Sequence, residues 1–221
     1  MTTRRPKVAA PMIDDLRLLG LSDADPGDIA ANQDNEADRF TGADLAGRDL
    51  SGAGFSECEF LGLEAHETQL RGARFVETRI ERANAPVFKA ARSTWRDVRI
   101  ESSRFGAVEM YEADVQSVRV IGSKLSFVNL RSATLRDLLF DKCVIEELDL
   151  SQARAERVAF ASCKVHAIIL DNAHLRHVDL RGLELGSVSG MESMRGTVVS
   201  FTQAVDLTSS FAQHLGITIV D

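Results

Sequence analysis

The sequence predicts a solenoid, a chain wound into stacked turns. Three observations predict it. Every fifth residue from Phe40 to Leu185 is apolar, through Leu45, Leu50, Phe55, Phe60 and onward, with no insertion to break the count. The residue two places earlier is usually small or β-branched, as at Ala43, Ala53, Cys58, Thr68 and Ala73. The positions between them are polar or charged, as in Glu57-Cys58-Glu59-Phe60. A period of five fits neither an α-helix nor a flat strand. A fixed period over the body of a chain marks a repeat architecture. Each unit has two inward side chains and cannot bury them alone, whereas stacked turns close a continuous core.

The units Thr41-Gly42-Ala43-Asp44-Leu45 and Arg71-Gly72-Ala73-Arg74-Phe75 have a small residue, any residue, then Leu or Phe. In this they resemble the pentapeptide-repeat family, over about two thirds of the chain. The resemblance implies an all-β fold, a right-handed quadrilateral parallel β-helix with one unit per side and about 20 residues per turn. Strands about 4.8 Å apart and about 7.5 turns would make a rod about 36 Å long.

Sorting the third positions by a period of twenty supports four sides independently of the resemblance. One side reads Ala53, Ala73, Ser93, Ala113, Ala133, Ala153, Ala173, and the opposite side reads Ala43, Leu63, Ala83, Ser103, Ser123, Cys143, Cys163. Between them lie large residues: Phe88, Val108, Val128, Leu148, Ile168 on one side, and Val98, Val118, Leu138, Val158, Val178 on the other. Small faces small and large faces large, as a close-packed core requires. The exceptions are offset locally: Leu63 accompanies Ala65, Phe88 accompanies Ala90, and Trp95 shares its turn with Ala85 and Ala90. Arg48 takes an inward position in the first turn, where its head is expected to leave through an open end.

In chain order, residues 1–38 lack the period and form an N-terminal cap or extension. Met12 to Gly20 suggests a short helical turn over the open end, and 22–38 a loop; the alternative is a segment along one side of the rod. Residues 39–190 are the β-helix. Residues 191–221 are a C-terminal helix and a short strand. Ser200 and Gln203 have capping-box spacing. Ala204, Leu207, Phe211 and Leu215 then share one helical face, Gly216 ends the helix, and Ile217 to Val220 reads as the strand. Gln203-Ala204-Val205 and Ala212-Gln213-His214-Leu215-Gly216 resemble the C-terminal helix of the mycobacterial fluoroquinolone-resistance pentapeptide proteins. The resemblance implies a homodimer joined there, with Val205 and Ala212 turned to the partner. The alternative is a monomer in which the helix only caps the coil.

No residue pattern points to catalysis, a cofactor or a metal. His66, His166, His174, His177 and His214 fall in no His-Glu-x-x-His motif, no Cys-x-x-Cys occurs, and the glycines at 42, 47, 52, 62 and 72 follow the repeat. The reading is a non-enzymatic protein. Cys58, Cys143 and Cys163 occupy inward positions as small buried hydrophobes; a Cys143–Cys163 disulfide is possible by stacking, but free thiols are expected. No apolar run is long enough to span a membrane, and Met1 to Lys7 precedes no apolar stretch, so the chain is read as cytoplasmic.

The surface therefore carries the function. Several relatives in the family act on DNA gyrase by imitating duplex DNA. DNA carries one negative charge per about 1.7 Å, so a rod of this length would need on the order of 20. The whole chain has a net charge of only −7. The most acidic band holds Glu57, Glu59, Glu64 and Glu67, the contacts expected for a gyrase or topoisomerase partner. Arg79, Arg99 and Arg119 stack on one side among acids and read as a salt-bridged face, not a nucleic-acid stripe. Apolar residues at outward positions, Tyr111, Phe127 and Ile169 on one side and Ile121 and Leu139 on the opposite one, mark either a partner surface or the bed of a terminal segment. The function expected is a protein–protein interaction module. The alternatives are a DNA-mimic modulator of gyrase or a structural or regulatory solenoid with an unknown ligand.

Overall fold

Each five-residue unit lays its fifth and third residues on the axis of a coil, and the burial follows the sequence register. Phe40, Leu45, Leu50, Phe55 and Phe60 are buried, as are Ala43, Ala53 and Cys58 between them. The computed structural model describes residues 8–220. They form a parallel β-solenoid of about nine turns followed by two short helices. Successive turns pair in register twenty residues apart, from Asp34 opposite Gly54 to Ile169 opposite Ser189. The first turn is shorter, with Ser22 opposite Asp38, and the last has Val178 opposite Thr197.

Four ladders stack along the rod. The first side contains Gly54–Ser56 and Arg74–Val76, and the second Glu59–Leu61 and Arg79–Glu81. From Thr94 the two merge into bent eight-residue strands: Thr94–Glu101, Asp114–Ile121, Thr134–Asp141 and Arg154–Ala161. The third and fourth sides share the strands from Asn84–Lys89 to Leu183–Ser189. Before Asn84 those two sides have only single bridges, at Asp44–Glu64 and Asp49–Gln69. The change coincides with the third-position residue. Where it is Arg48, Cys58, Thr68 or Thr78 the strand breaks at the corner; from Phe88 and Val98 onward it runs through. The inward polar groups are satisfied locally: Thr68 Oγ1 donates to Leu45 O at 2.7 Å and Thr78 Oγ1 to Phe55 O at 3.1 Å.

Most corners take the left-handed conformation; from Val87 onward the corner between the third and fourth sides does not. Gly42, Gly47, Gly52, Gly62 and Gly72 have φ between 62° and 74°, which glycine adopts without a Cβ penalty. Later corners take the same conformation with side chains, as at Glu112, Lys142 and Gln152. The residues of compensating volume are all inward: Ala85, Ala90 and Trp95 are buried, as are Leu63 and Ala65. Ala133 lies on the side of small residues and is 1% exposed. Ala133→Leu is therefore expected to overpack that side and cost about 1–3 kcal/mol, read by urea denaturation.

Both ends depart from expectation. Residues 22–38 are not a loop but the first turn of the coil: Ser22–Asp23 and Asp34–Glu36 are strands, and Ile29 sits in the core. The coil thus begins a turn earlier than the five-residue pattern, because this turn buries Ile29 without keeping the repeat. Its carbonyls also receive Arg48. Rather than escaping through an open end, the guanidinium donates to Pro26 O at 2.7 Å, Gly27 O at 3.3 Å and Ile29 O. No helix forms over Met12 to Gly20. That segment is extended and lies along the rod, so the apolar stretch does not cover the end.

At the other end the capping box forms as expected, with Ser200 N–H donating to Gln203 Oε1 at 2.8 Å and Gln203 N–H to Ser200 Oγ at 3.1 Å. The helix is broken at Leu207 into α1 (Phe201–Asp206) and α2 (Thr208–His214). Gly216, at φ 72°, ends α2: its N–H donates to Gln213 O and that of Ile217 to Ala212 O, the paired bonds of a Schellman motif. Ile217 to Val220 forms no strand and is exposed.

Candidate interaction surfaces

The N-terminal segment forms a strap along the corner between the first and second sides. The Ala9 N–H donates to His177 Nδ1 at 3.5 Å, and the Met12 N–H to Asp137 Oδ1 at 2.8 Å. Leu16 to Leu21 then pass over Arg39, Glu59, Arg79 and Arg99. Asp137 is the central anchor. It is buried and clasped by Arg157, whose Nε and Nη2 donate to its two oxygens at 2.6 and 2.7 Å. Burial works to raise the Asp137 pKa, but the Arg157 hydrogen bonds, the Met12 N–H and the nearby arginines outweigh it, so the carboxyl is held below its ordinary value.

The second side under the strap is a salt-bridged ladder. Arg79 lies opposite Arg99, and Arg99 opposite Arg119. Arg79 reaches Glu59 at 3.5 Å, Glu81 at 2.8 Å and Glu101 at 2.9 Å; Arg99 reaches Glu101 at 2.6 Å and Arg119 reaches Asp141 at 2.9 Å. Acids interleaved at neighbouring positions neutralise the stacked like charges. Ile121 and Leu139 on this side are half-buried.

At the corner between the third and fourth sides Val87, Ala107 and Phe127 follow one another in register, with Phe127 57% exposed, and Glu147 ends the run. Tyr111 and Ile169 are half-buried, two turns or more from each other along the rod. The four glutamates of the acidic band are also dispersed. Glu59 is buried and held by Arg39 at 2.7 Å and by Arg79. Glu57 occupies a left-handed corner, Glu64 accepts from Asn84 Nδ2 at 2.7 Å, and Glu67 lies 3.9 Å from Lys89. Their spacings of two, five and three residues around the coil place them at different sides and corners.

The C-terminal end concentrates exposed apolar groups. Phe201 is 86% exposed and Leu215 71%, and Val205, Ile217, Ile219 and Val220 join them. Of the face expected to be apolar, Leu207 alone is fully buried and Ala204 and Phe211 are half-buried; Ala212, expected off that face, is half-buried too. The residue that ties this end down is Gln203. Its Nε2 donates to Leu180 O at 2.7 Å and Leu183 O at 2.9 Å, so one side chain closes the capping box and the last turn together. Sequence reasoning found its first role and missed the second. The Asp137–Arg157 clasp was missed too, although a sort by twenty aligns the two residues.

Cys58, Cys143 and Cys163 are free and buried. Burial raises the Cys58 thiol to about 11. Among the described residues no group of His, Cys, Asp and Glu is arranged to hold a metal ion, and no helix is long and apolar enough to cross a membrane.

The family model for pentapeptide repeats matches residues 39–75. A comparison with curated protein sequences finds no match. Among solved structures the chain is similar to full-length QnrB1, a plasmid-mediated fluoroquinolone resistance protein, at 20% identity over 88% of this chain and 95% of that one, with a TM-score of 0.39. The trypsin-treated form of QnrB1 gives 17% identity, coverage of 90% and 96%, and a TM-score of 0.38. HetL, a protein involved in heterocyst differentiation regulation from the cyanobacterium Nostoc sp. strain PCC 7120, gives 20% identity, coverage of 76% and 90%, and a TM-score of 0.23. The matched repeats, their register continuing to Leu185 and the four-ladder coil they build agree with the pentapeptide-repeat fold.

Proposed function

We propose that this protein is a non-catalytic protein–protein interaction module that pairs with a second copy through its C-terminal end. The observation that carries the reading is the cluster of exposed apolar side chains there: Phe201, Val205, Leu215, Ile217, Ile219 and Val220. A concentration of exposed apolar side chains at one end of a chain points to an interface. A two-fold pairing would cover it with a closed, self-complementary contact. Gln203 and Leu207 hold the segment to the coil, which leaves Val205 and Leu215 to face the partner.

Light scattering tests this. The full chain is expected to run at about twice 24.2 kDa at tens of micromolar. A chain truncated after Gly196 is expected to run as a monomer. A full-length monomer at that concentration removes the dimer.

The gyrase-directed reading draws on the acidic band, of which Glu57, Glu64 and Glu67 are exposed. Its test is a supercoiling assay, in which the triple Lys variant at these positions is expected to lose any inhibition the unaltered protein produces. Inhibition that survives charge reversal places the contact elsewhere.

A further inference from the structure

The first side carries a charge pattern that none of the surfaces above uses. One of its outward ladders reads Arg96, Gln116, Arg136, Glu156, Arg176, in consecutive register. The parallel ladder beside it adds Arg154. Arg96, Arg136, Arg154 and Arg176 are all exposed. On the second side every stacked arginine has a carboxylate partner. Here Arg96, Arg136 and Arg154 make no ion pair among the described residues, and Arg176 has only a 3.7 Å contact with Glu156.

We infer that this stripe is a docking surface for an acidic α-helix of a partner protein. The spacing argues for a helix. Turns of a parallel coil repeat at about 4.8 Å, so Arg96, Arg136 and Arg176 recur every two turns, about 9.6 Å apart. Seven residues of α-helix span about 10.5 Å, so carboxylates at heptad spacing meet successive arginines along one face. Arg guanidinium groups take carboxylates in bidentate geometry and keep their charge at all working pH values. The surroundings argue against nucleic acid. The chain carries a net −7, Asp114 and Glu156 interrupt the side, and its outward positions from 94 to 176 include no Phe, Tyr or Trp, with His174 their one ring. The inference rests on the reading of the rod as a protein-binding module, but not on dimerisation.

The test is fluorescence anisotropy with the full chain and a fluorescein-labelled helical peptide of about 22 residues with Glu at every seventh position. Saturable binding is expected that weakens as salt rises. A scrambled peptide of equal composition is expected to bind at least about fivefold more weakly. Combined Arg96→Glu, Arg136→Glu and Arg176→Glu is expected to weaken binding by about 30-fold or more, since each contact turns repulsive. Asp114→Asn removes a carboxylate from the same side and is expected to tighten binding severalfold; this arm decides if the triple variant does not fold. No binding, equal binding of the scrambled peptide, no gain from Asp114→Asn, or tighter binding of a DNA duplex of equal charge overturns the inference. Because the stripe and the C-terminal end are separate, an unaltered chain that dimerises but does not bind the peptide refutes the docking surface alone. A monomer that still binds the peptide refutes only the dimer.

Discussion

Trp95→Ala is expected to lower stability by about 3–5 kcal/mol, measured by urea denaturation followed by circular dichroism. Trp95 is 1% exposed and is among the largest fully buried side chains. It stacks on Phe75 with ring centroids 4.1 Å apart and planes 15° from parallel, which continues the Phe55–Phe75 stack along the axis. Its indole N–H donates to Ser93 Oγ at 2.6 Å, and that hydroxyl donates to Ala90 O at 2.5 Å. Ala85 and Ala90 are small because the indole fills their turn, so neither can close the cavity that truncation leaves. The backbone cannot collapse inward either, since each turn is fixed by ladder hydrogen bonds to the turns on both sides. Trp95→Phe keeps a stacking ring and is expected to cost less than half as much. An Ala variant within about 1 kcal/mol of the parent would show that the coil relaxes around the site.

Asp137→Ala is expected to cost about 3 kcal/mol and to release the strap. Asp137 and Arg157 form a nearly buried pair, with side-chain exposures of 6% and 15%. Removing the carboxylate leaves the guanidinium with Glu156 as its remaining partner and takes the acceptor from the Met12 N–H. The cost is placed at the low end of the range for broken buried pairs because Glu156 stays. Hydrogen exchange separates the two effects: amides of residues 12–19 are expected to exchange faster while the coil stays protected. The same contact sets a pH dependence. The Asp137 pKa is lowered in the folded chain. Its stabilisation is therefore fully present above the unfolded carboxylate value of about 3.9 and is lost as pH falls through the folded value. Protection of the 12–19 amides, relative to the unstructured rate at each pH, that does not fall below about pH 4 would remove Asp137 as the anchor.

The repeat was legible in the sequence because a solenoid stacks like on like. Every turn meets nearly the same neighbours, so each inward position faces the same constraint and the sequence records it every five and every twenty residues. Trp95 beside Ala85 and Ala90, and Leu63 beside Ala65, were readable for the same reason: volume is conserved turn by turn. The capping box of Ser200 and Gln203 and the stop at Gly216 were readable because both are local motifs, satisfied within a few residues of chain. Residues 22–38 were not, since one aperiodic turn of coil looks like a loop until its carbonyls are seen to meet Arg48 and its Ile29 the core. The strap was decided by contacts across more than a hundred residues, the Met12 N–H on Asp137 and the Ala9 N–H on His177, which no local pattern encodes. The dispersal of Glu57, Glu59, Glu64 and Glu67 follows from the coil itself: charges adjacent in sequence turn a corner every five residues, while charges twenty apart share a side. Sequence alone determined what is buried in this protein, because burial repeats; tertiary structure decided which surface charges stand together, because that depends on the winding of the chain.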